Sequence, residues 1–209
     1  MSQKDLLIFP YSGTAIEALD CLGSGWNCVG FVSDDDSLRG KKAYGIPVFD
    51  RAAFGEFPAA MVLAVNGSPA SFLQRERIIE GLGLDEERFA TVVHPRASVG
   101  PNVLLGRNVL VMAGVVLTAN ARIGNHVILL PNSVVHHDSS IGDHTLIGAQ
   151  AVIAGNVSIG QSCYIGAAAS IRNGIRVGDR VLVGMGSNVV ADYADDVVLR
   201  GNPAKPVLP

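Results

Sequence analysis

A period of six residues runs through the hydrophobic positions of this chain between Val93 and Asn188. All 16 positions that lie six residues apart from Val93 to Val183 carry Val, Ile or Leu. Neither an α-helix, with a period of about 3.6, nor a flat strand, with a period of about 2, repeats in this way. A hexapeptide period is typical of a parallel β-helix, in which each repeat supplies one short strand and one corner. We therefore predict coils that stack on one another and bury the periodic aliphatic side chains.

Hexads of this kind resemble those of the hexapeptide-repeat acyltransferases. That resemblance implies left-handed coils of triangular cross-section, with three hexads, or about 18 residues, in each coil. Left-handed coils are an exception to the usual right-handed crossover between parallel strands. Residues 18 apart would then lie next to each other in neighbouring coils, at the inter-strand spacing of about 4.8 Å.

The residues before the repeat alternate short apolar runs with helical spacing. Apolar runs at 5–9, 28–32, 46–48 and 59–65 predict strands, and the spacing at 15–22 and 71–81 predicts helices. This order is typical of a small α/β module with a parallel, Rossmann-like sheet. We expect three regions, namely the α/β module at 1–90, an all-β left-handed β-helix at 91–190 and a C-terminal tail at 191–209.

Small polar residues follow three of the predicted strands in the α/β module. Ser12 and Gly13 follow the first strand, Asp34 and Asp35 the second, and Asn66 the fourth. Ligands bind such sheets outside the carboxyl ends of the strands, and Ser12 also precedes a helix N-terminus. These residues are therefore either a ligand site or ordinary capped loops. The sequence has no Gly-x-Gly-x-x-Gly fingerprint after a strand, which argues against NAD.

Composition narrows the functional classes. The 209-residue chain is 48% hydrophobic, 17% charged and has a net charge of −3, with no basic block that would suit a nucleic acid. No apolar run approaches the roughly 20 residues of a membrane span, and the N-terminus leads into a strand rather than a signal peptide. Cys21, Cys28 and Cys163 are odd in number and widely spaced, as in a cytoplasmic protein. We expect a cytoplasmic protein without a nucleic-acid partner or a membrane span.

Histidines cluster within the repeat. Four of the five histidines, His126, His136, His137 and His144, lie within 19 residues. An imidazole titrates near neutral pH and can take a proton from an attacking nucleophile, and a carboxylate beside it can hold its tautomer. His137 with Asp138 has these residue types, so we predict a base and its acidic partner. The competing interpretation is that the histidines line an outer face and bond only to solvent.

The spacing of the coils brings further residues to this pair. Gly155 would lie one coil from His137, and Asn156 and Asn120 would lie on either side of Asp138. A glycine beside a catalytic histidine leaves room for a thioester and frees a backbone N–H for the thioester oxygen.

Five motifs carry a resemblance to a narrower family: Ser12-Gly13, Asp34-Asp35, His137-Asp138-x-x-Ile141-Gly142, Ala154-Gly155-Asn156-Val157 and Gly201-x-Pro203-Ala204-Lys205. They resemble the bacterial sugar acyltransferases of the sialic-acid O-acetyltransferase-like family. Within it, the chain is most similar to the nucleotide-sugar N-acetyltransferases of the bacillosamine and perosamine pathways. The resemblance covers both predicted modules.

The resemblance implies transfer of an acetyl group from acetyl-CoA to a nucleotide-linked amino-sugar, in the synthesis of a surface polysaccharide or glycan. The nucleotide-sugar would bind the α/β module, and His137 would be the general base, oriented by Asp138. The residues that would contact the nucleotide-sugar are Ser12, Gly13, Asp34, Asp35 and Asn66.

The resemblance also implies that acetyl-CoA lies along the β-helix, between two subunits of a homotrimer. The Gly155 N–H would face the thioester oxygen, and the tail would lie near the nucleotide end of CoA. The other residues of the CoA site would be Ala154, Asn156, His144 and Lys205. Neither a metal nor a covalent acyl-enzyme is needed, because the amine attacks directly.

The chain departs from the family pattern at a few positions. Thr14-Ala15 replaces the His-Gly that often follows Ser-Gly, and Asp138 replaces a glutamate. Leu146 occupies the position of a second histidine that the family often has nine residues after the base. His144 is nearby but lies on a different hexad phase.

Three other functions stay open. The acceptor could be a sugar hydroxyl, which makes the protein an O-acetyltransferase. A metal-dependent hydratase of the carbonic-anhydrase type would need three converging histidines, and His126 and His144 share one hexad phase. A trimeric scaffold without catalysis would not bind CoA.

Overall fold

The computed structural model describes residues 3–207. Met1, Ser2, Leu208 and Pro209, which form the outer ends of the predicted first and third regions, lie outside the described residues. A five-stranded sheet with short helices comes first, and three mostly parallel sheets follow it as the faces of a β-helix.

The N-terminal module is built on a single sheet. Its strands are β1 (Lys4–Phe9), β2 (Trp26–Val32), β3 (Lys42–Ala43), β4 (Ile46–Phe49) and β5 (Met61–Ala64). They are arranged in the order β3-β4-β2-β1-β5, and every neighbouring pair is parallel except β3 and β4, which form an antiparallel edge hairpin. The predicted parallel sheet is therefore present, with one short antiparallel edge strand, β3, in a segment where no strand was predicted.

The helices of this module are shorter than the spacing predicted. They are α1 (Gly13–Ala18), α2 (Ala53–Glu56) and α3 (Arg75–Glu80). The predicted helix at 15–22 changes to a 3-10 turn at Leu19–Cys21, and the one at 71–81 begins as a 3-10 turn at Phe72–Gln74; two further 3-10 turns are Asp36–Leu38 and Glu86–Arg88. Four-residue α2 has too few residues to show a helical period, which is why the sequence did not predict it. None of the helices in 3–207 has the length and hydrophobicity that crossing a membrane requires.

Very short strands at hexad spacing make up the β-helix. They are β6 (Val92–Val93), β7 (Ser98–Val99), β8 (Leu104–Leu105), β9 (Leu110–Val111), β10 (Val116–Leu117), β11 (Arg122–Ile123), β12 (Ile128–Leu129), β13 (Val134–Val135), β14 (Ser140–Ile141), β15 (Leu146–Ile147), β16 (Val152–Ile153), β17 (Ser158–Ile159), β18 (Tyr164–Ile165), β19 (Ser170–Ile171), β20 (Arg176–Val177), β21 (Leu182–Val183), β22 (Asn188–Val189), β23 (Val198–Gly201) and β24 (Ala204–Val207).

Every third strand belongs to the same face. Face one contains β7, β10, β13, β16, β19 and β22; face two contains β8, β11, β14, β17 and β20; face three contains β6, β9, β12, β15, β18, β21, β23 and β24. Within a face, a strand pairs in parallel with the strand one coil away, as Val134 does with Val116 and Val152. Coils of 18 residues with three hexads are therefore present as predicted.

A residue with positive φ lies at each bend between consecutive strands from β7 to β22. From 102 to 186 every sixth residue has a φ between +50° and +73°. We call these the corner positions, and they form three columns. The first column lies between faces one and two (Asn102, Asn120, Asp138, Asn156, Gly174), the second between faces two and three (Asn108, His126, His144, Ser162, Arg180), and the third between faces three and one (Gly114, Asn132, Gln150, Ala168, Gly186).

The periodic aliphatic side chains fill the interior of the β-helix. From Val111 to Val183 they are all buried, which removes their apolar surface from water and stabilises the stack. Val93 and Val99 are 37% and 43% exposed, because they belong to the first coil and have no coil above them. A coil therefore needs a neighbouring coil on each side to bury its aliphatic side chains, as in other repeat architectures.

The C-terminal segment continues the β-helix instead of leaving it. β23 pairs in parallel with β21 on face three, then turns back into the antiparallel strand β24. Leu199 is fully buried, and the Tyr193 hydroxyl donates a 2.7 Å hydrogen bond to the Ala204 carbonyl oxygen. This hairpin covers the last coil, where the hexad pattern of the sequence fades.

The N-terminal module lies on face three and on the second corner column. The Asn108 side chain pairs with the backbone of Ala64 at the end of β5, with N–O distances of 2.8 and 3.1 Å. The Phe72 ring lies 6.1 Å from that of Tyr164 on face three. The first corner column is the edge of the triangle opposite face three, so it lies away from the module.

Candidate active site

His137 and Asp138 form a hydrogen-bonded pair at the first corner, between β13 and β14. His137 Nδ1 lies 2.8 Å from Asp138 Oδ2, and the two side chains are 55% and 46% exposed. Asp138 has a φ of 60°, a conformation that Asp, Asn and Gly tolerate better than other residues do. This backbone turn brings the two adjacent side chains to the same side, although neighbours in a regular strand point to opposite sides.

The pair has the electrostatics of a base and its orienting carboxylate. The hydrogen bond from His137, and after it that from Asn120, lowers the pKa of Asp138 below its ordinary value. Asp138 is therefore ionised at neutral pH and accepts a hydrogen bond from Nδ1–H of His137. The lone pair is then on Nε2, the nitrogen that can take a proton from a nucleophile.

Gly155 lies one coil away, directly against the His137 ring. A Cβ added to Gly155 would come within 2.6 Å of His137 Nε2, so no other residue fits there without displacing the ring. The Gly155 N–H donates to no acceptor among residues 3–207, whereas the N–H groups of Ala154 and Asn156 bond to carbonyls of neighbouring coils. The predicted neighbourhood of His137, Asp138, Gly155 and Asn156 is therefore brought together.

His144 lies in a different environment, at the second corner. Its ring stacks on that of His126, with centroids 4.7 Å apart and an interplanar angle of 8°. Burial, followed by neighbouring positive charge, lowers the pKa of both imidazoles to about 4, so both are neutral at neutral pH. The structure does not bring His144 to His137, although the sequence analysis grouped it with the CoA site.

Lys205 is exposed on the terminal hairpin, in register with Arg200. Both cations lie beyond the last coil on face three, not at the corner that carries His137. Within residues 3–207, no group of three or more His, Cys, Asp or Glu side chains is arranged to hold a metal ion.

The polar loops at the strand ends are largely engaged within the module. Ser12 accepts a 3.2 Å hydrogen bond from the Ala15 N–H and caps α1, while Gly13 is exposed. The Asp34 carboxylate accepts hydrogen bonds from Nε and Nη2 of the Arg51 guanidinium, at 2.6 and 2.8 Å. Asp35 accepts from the Ser37 N–H at 2.9 Å, and hydrogen bonds from Ser37 lower its pKa.

Asn66 has an internal role. It is buried, and both its carbonyl oxygen and its side-chain oxygen accept hydrogen bonds from Arg75. Arg75 is fully buried, and it also donates to the carbonyl oxygen of His126 at 2.7 Å. Arg75 therefore ties the end of β5 to the second corner of the β-helix, and the side chain of Asn66 is already occupied.

Two cavities adjoin these loops on face three. One of about 200 Å³ lies between the module and the β-helix and is lined by Thr14, Gly67, Ser68, Leu146 and Tyr164, among others. A longer groove of about 730 Å³ continues from it and is lined by residues that include Pro69, Tyr164, Met185 and Arg200. Tyr164 borders both, but His137 borders neither.

The repeat and the fold both have known relatives. The bacterial transferase hexapeptide model (six repeats) matches residues 120–155, and the model of the hexapeptide repeat of succinyl-transferase matches residues 96–131 and 156–191. Among solved structures, PerB from Caulobacter crescentus, in complex with CoA and GDP-perosamine, is 28% identical with a TM-score of 0.82, over 99% of this chain and 98% of that chain. The acetyltransferase domain of PglB from Neisseria gonorrhoeae, in complex with acetyl coenzyme A, is 25% identical with a TM-score of 0.85, over 99% and 100%.

The chain carries the bacterial transferase hexapeptide repeat, and it is an acyltransferase. The predicted fold class, an α/β module followed by a left-handed parallel β-helix, is confirmed for this acyltransferase. WeeI from Acinetobacter baumannii shares the fold, with a TM-score of 0.82 at 24% identity over 99% of this chain and 100% of that chain. No curated protein matches the sequence.

Sequence reasoning missed several residues of this acyltransferase that hold its polar loops or border its cavities. Arg51 binds Asp34, Arg75 binds Asn66, and Tyr164 lies between the two cavities. A lone arginine in a helical pattern carries no signal of burial, so Arg75 could not have been found. Tyr164 could have been found, because it lies one coil after Leu146, at the strand position on face three whose side chains point outward.

Proposed function

We propose that the protein transfers the acetyl group of acetyl-CoA to the amino group of a nucleotide-linked sugar. The observation that carries the proposal is the His137–Asp138 pair with Gly155 against its ring. Support also comes from two relatives that are similar over almost their whole length, one in complex with CoA and GDP-perosamine and one with acetyl coenzyme A. Nucleotide-sugars of this kind feed the synthesis of a surface polysaccharide or glycan in the cytoplasm.

The proposed chemistry is a direct attack. The sugar amine attacks the thioester carbon, and its proton passes to Nε2 of His137, while Asp138 stabilises the imidazolium that forms. The Gly155 N–H, which has no acceptor among residues 3–207, donates to the oxyanion. The C–S bond then breaks, and the imidazolium returns the proton to the departing CoA thiolate.

We further propose that the site is shared between copies of the chain in a homotrimer. The cavities that border the module's loops lie on face three, whereas His137 lies on the opposite edge of the same β-helix. A base and an acceptor on opposite edges cannot meet in one chain. A neighbouring β-helix that presents its first corner to face three brings them together.

The groove of about 730 Å³ is our candidate for the pantetheine arm of CoA. Its wall is mostly apolar, which suits the pantetheine chain, and Arg200 at its end suits a phosphate. Lys205 lies in register with Arg200 on the same hairpin. In this proposal Ala154, Gly155 and Asn156 contact the thioester end from the neighbouring chain, and Ser12, Gly13, Asp34 and Asp35 lie nearer the nucleotide.

A direct assay tests the reaction. UDP-, GDP- and dTDP-linked amino-sugars are incubated with acetyl-CoA, and both released thiol and acetylated product are measured. Each amino-sugar is paired with its hydroxyl analogue, so that N-acetylation is distinguished from O-acetylation. Absence of acetyl transfer to every amino-sugar, with transfer to a hydroxyl analogue, contradicts the proposal.

The role of His137 is tested by substitution. His137→Asn should lower kcat by roughly a hundredfold, because it removes a general base while keeping a side chain of similar shape. His136→Asn is the matched control, since His136 is the preceding residue but makes no side-chain hydrogen bond within residues 3–207. Equal kcat values for the two variants would remove His137 from the mechanism.

A further inference from the structure

The first corner column contains a chain of side-chain hydrogen bonds that ends at the base. Asn102 Nδ2 donates to Asn120 Oδ1 at 3.2 Å, and Asn120 Nδ2 donates to Asp138 Oδ1 at 2.8 Å. The other carboxylate oxygen, Asp138 Oδ2, accepts from His137 Nδ1 at 2.8 Å. Both oxygens of Asp138 are therefore engaged, by donors that approach from opposite sides.

The chain has a direction that fixes how each amide is turned. An asparagine presents one acceptor oxygen and one donor NH₂ group. Since Asn102 donates to the oxygen of Asn120, the NH₂ group of Asn120 is the one that faces Asp138. The carboxylate of Asp138 cannot rotate without breaking a bond to Asn120 or to His137.

We propose that Asn120 is a positioning residue for the acyl transfer, which acts on His137 through Asp138. By holding one carboxylate oxygen, Asn120 keeps the other aimed at Nδ1–H, so that Nε2 stays directed over Gly155. The inference rests on the proposed function, in which His137 is the base. It assigns to Asn120 a task beyond its place at a corner.

A corner position alone would also explain an asparagine, because this residue type tolerates a positive φ. Asn132 provides the comparison. It is two corners further along the chain, with a φ of 60° against 61° for Asn120, and its amide meets no carboxylate within residues 3–207. Glycine accepts the backbone conformation at either position, so Asn→Gly removes the amide without straining the corner.

The first arm of the test compares Asn120→Gly with Asn132→Gly. We expect kcat of Asn120→Gly to fall roughly three- to tenfold, the effect of losing one ordinary hydrogen bond, with both KM values unchanged. Asn132→Gly should retain the kcat of the natural protein. Thermal unfolding of both variants measures any shared effect on the fold. Equal kcat values for the two variants overturn the proposal.

The second arm of the test adds a negative charge beside Asp138, and its main measurement, an NMR titration, does not depend on turnover. Asn120→Asp adds a carboxylate beside Asp138, and the extra negative charge should raise the pKa of the His137 imidazolium. NMR titration of the His137 ring, assigned by its loss in His137→Asn, should show a higher pKa than in the natural protein, and the acid limb of kcat should move to higher pH with it. An unchanged His137 titration overturns the link from Asn120 to the base. If the His137 titration shifts but the protein acetylates no amino-sugar, the proposed function is wrong, and the link from Asn120 to His137 is still supported.

Discussion

At the scale of single residues, two glycines of the repeat, Gly142 and Gly155, differ in the atoms that lie against them. A Cβ on Gly142 would come within 2.5 Å of the backbone carbon of Gly160 in the next coil. A Cβ on Gly155 would instead meet the His137 ring, which is the far end of a flexible side chain. Backbone atoms held in a stack cannot move away, whereas an imidazole can turn. The same substitution should therefore affect stability at one position and catalysis at the other.

Gly155→Ala should lower kcat by at least roughly tenfold, because the new methyl group displaces the His137 ring and small displacements of a base are costly. Its melting temperature should stay close to that of the natural protein. Gly142→Ala is the control: it should lose about 1–3 kcal/mol of stability in denaturant unfolding, the cost of overpacking. A Gly155→Ala protein with unchanged kcat would contradict the proposed contact between ring and substrate.

The corner positions also explain why polar residue types recur every six residues. Asp138, His126 and His144 all have a φ near 60°. Asp, Asn and His are enriched among residues with positive φ, so their presence follows from the backbone before any chemistry is considered. His137 is not a corner position, and no such geometric reason accounts for it. This distinction separates the candidate base from the two stacked histidines, and it could have been read from the hexad phase.

At the scale of elements, the second corner column joins the β-helix to the module. Asn108 binds Ala64, the His126 carbonyl binds Arg75, and the rings of His126 and His144 stack between them. Burial without a carboxylate lowers the pKa of Arg75 to about 9. Arg75 and the two imidazoles would repel one another if the imidazoles were charged, so the column requires neutral histidines.

Stability should therefore fall in acid. The pKa of His144 is lowered to about 4 in the folded protein, against 6.5 ordinarily, and that of His126 is lowered likewise. Between pH 6.5 and pH 4 the unfolded chain binds protons that the folded chain does not, so the free energy of unfolding decreases as the pH falls through this range.

His144→Asn should make this pH dependence shallower, because it removes one of the two groups and keeps a residue that suits a corner position. The measurement is the denaturant midpoint at several pH values between 4 and 7. Gln150→Asn, at the next corner of the same coil, is the matched control and should keep the natural slope. A slope that does not change in His144→Asn would show that this imidazole is not responsible.

At the scale of the whole molecule, the candidate base and the two cavities lie on different sides of one β-helix. His137 is at the first corner, while the cavities bordered by Thr14 and Tyr164 lie on face three. In a cyclic oligomer, each interface joins one side of one copy to the opposite side of the next copy. Two surfaces that lie on opposite sides of a single chain therefore meet at every interface. The trimer is therefore part of the proposed mechanism.

Mixing two inactive chains tests this arrangement. His137→Asn lacks the base, and Thr14→Trp fills the cavity of about 200 Å³, so each protein alone should be inactive. Coexpressed chains should recover about a quarter of the natural activity, since a quarter of random base-and-cavity pairs are intact.

The control combines both substitutions in one chain and coexpresses it with His137→Asn, where no copy supplies the base and activity stays absent. Binding of CoA by the doubly substituted protein checks that it is folded. If the mixture of single variants shows no recovery, base and acceptor belong to the same chain and the shared site is wrong.

The sequence by itself determined the β-helix and the position of the candidate catalytic pair. Sixteen aliphatic residues at one spacing specify the interior of the coils, and the spacing alone places Gly155 against His137, because stacked hexads leave no freedom of register. Local periodicity also predicted most of the succession of strands and helices along the module, although the helices are shorter and interrupted and neither β3 nor α2 was predicted.

Only the tertiary structure decided which polar residues meet across the two modules. Asn66, Arg75 and His126 are distant in sequence and carry no shared period, so their contact depends on how the module lies on face three. The Asp34–Arg51 pair is also a tertiary contact, but it lies within the module, whereas the stacking of His144 on His126 follows from the register of the coils. The six-residue period determines the contacts between neighbouring coils. The contacts between the α/β module and the β-helix depend instead on the shapes of two unlike surfaces, which the six-residue period does not encode.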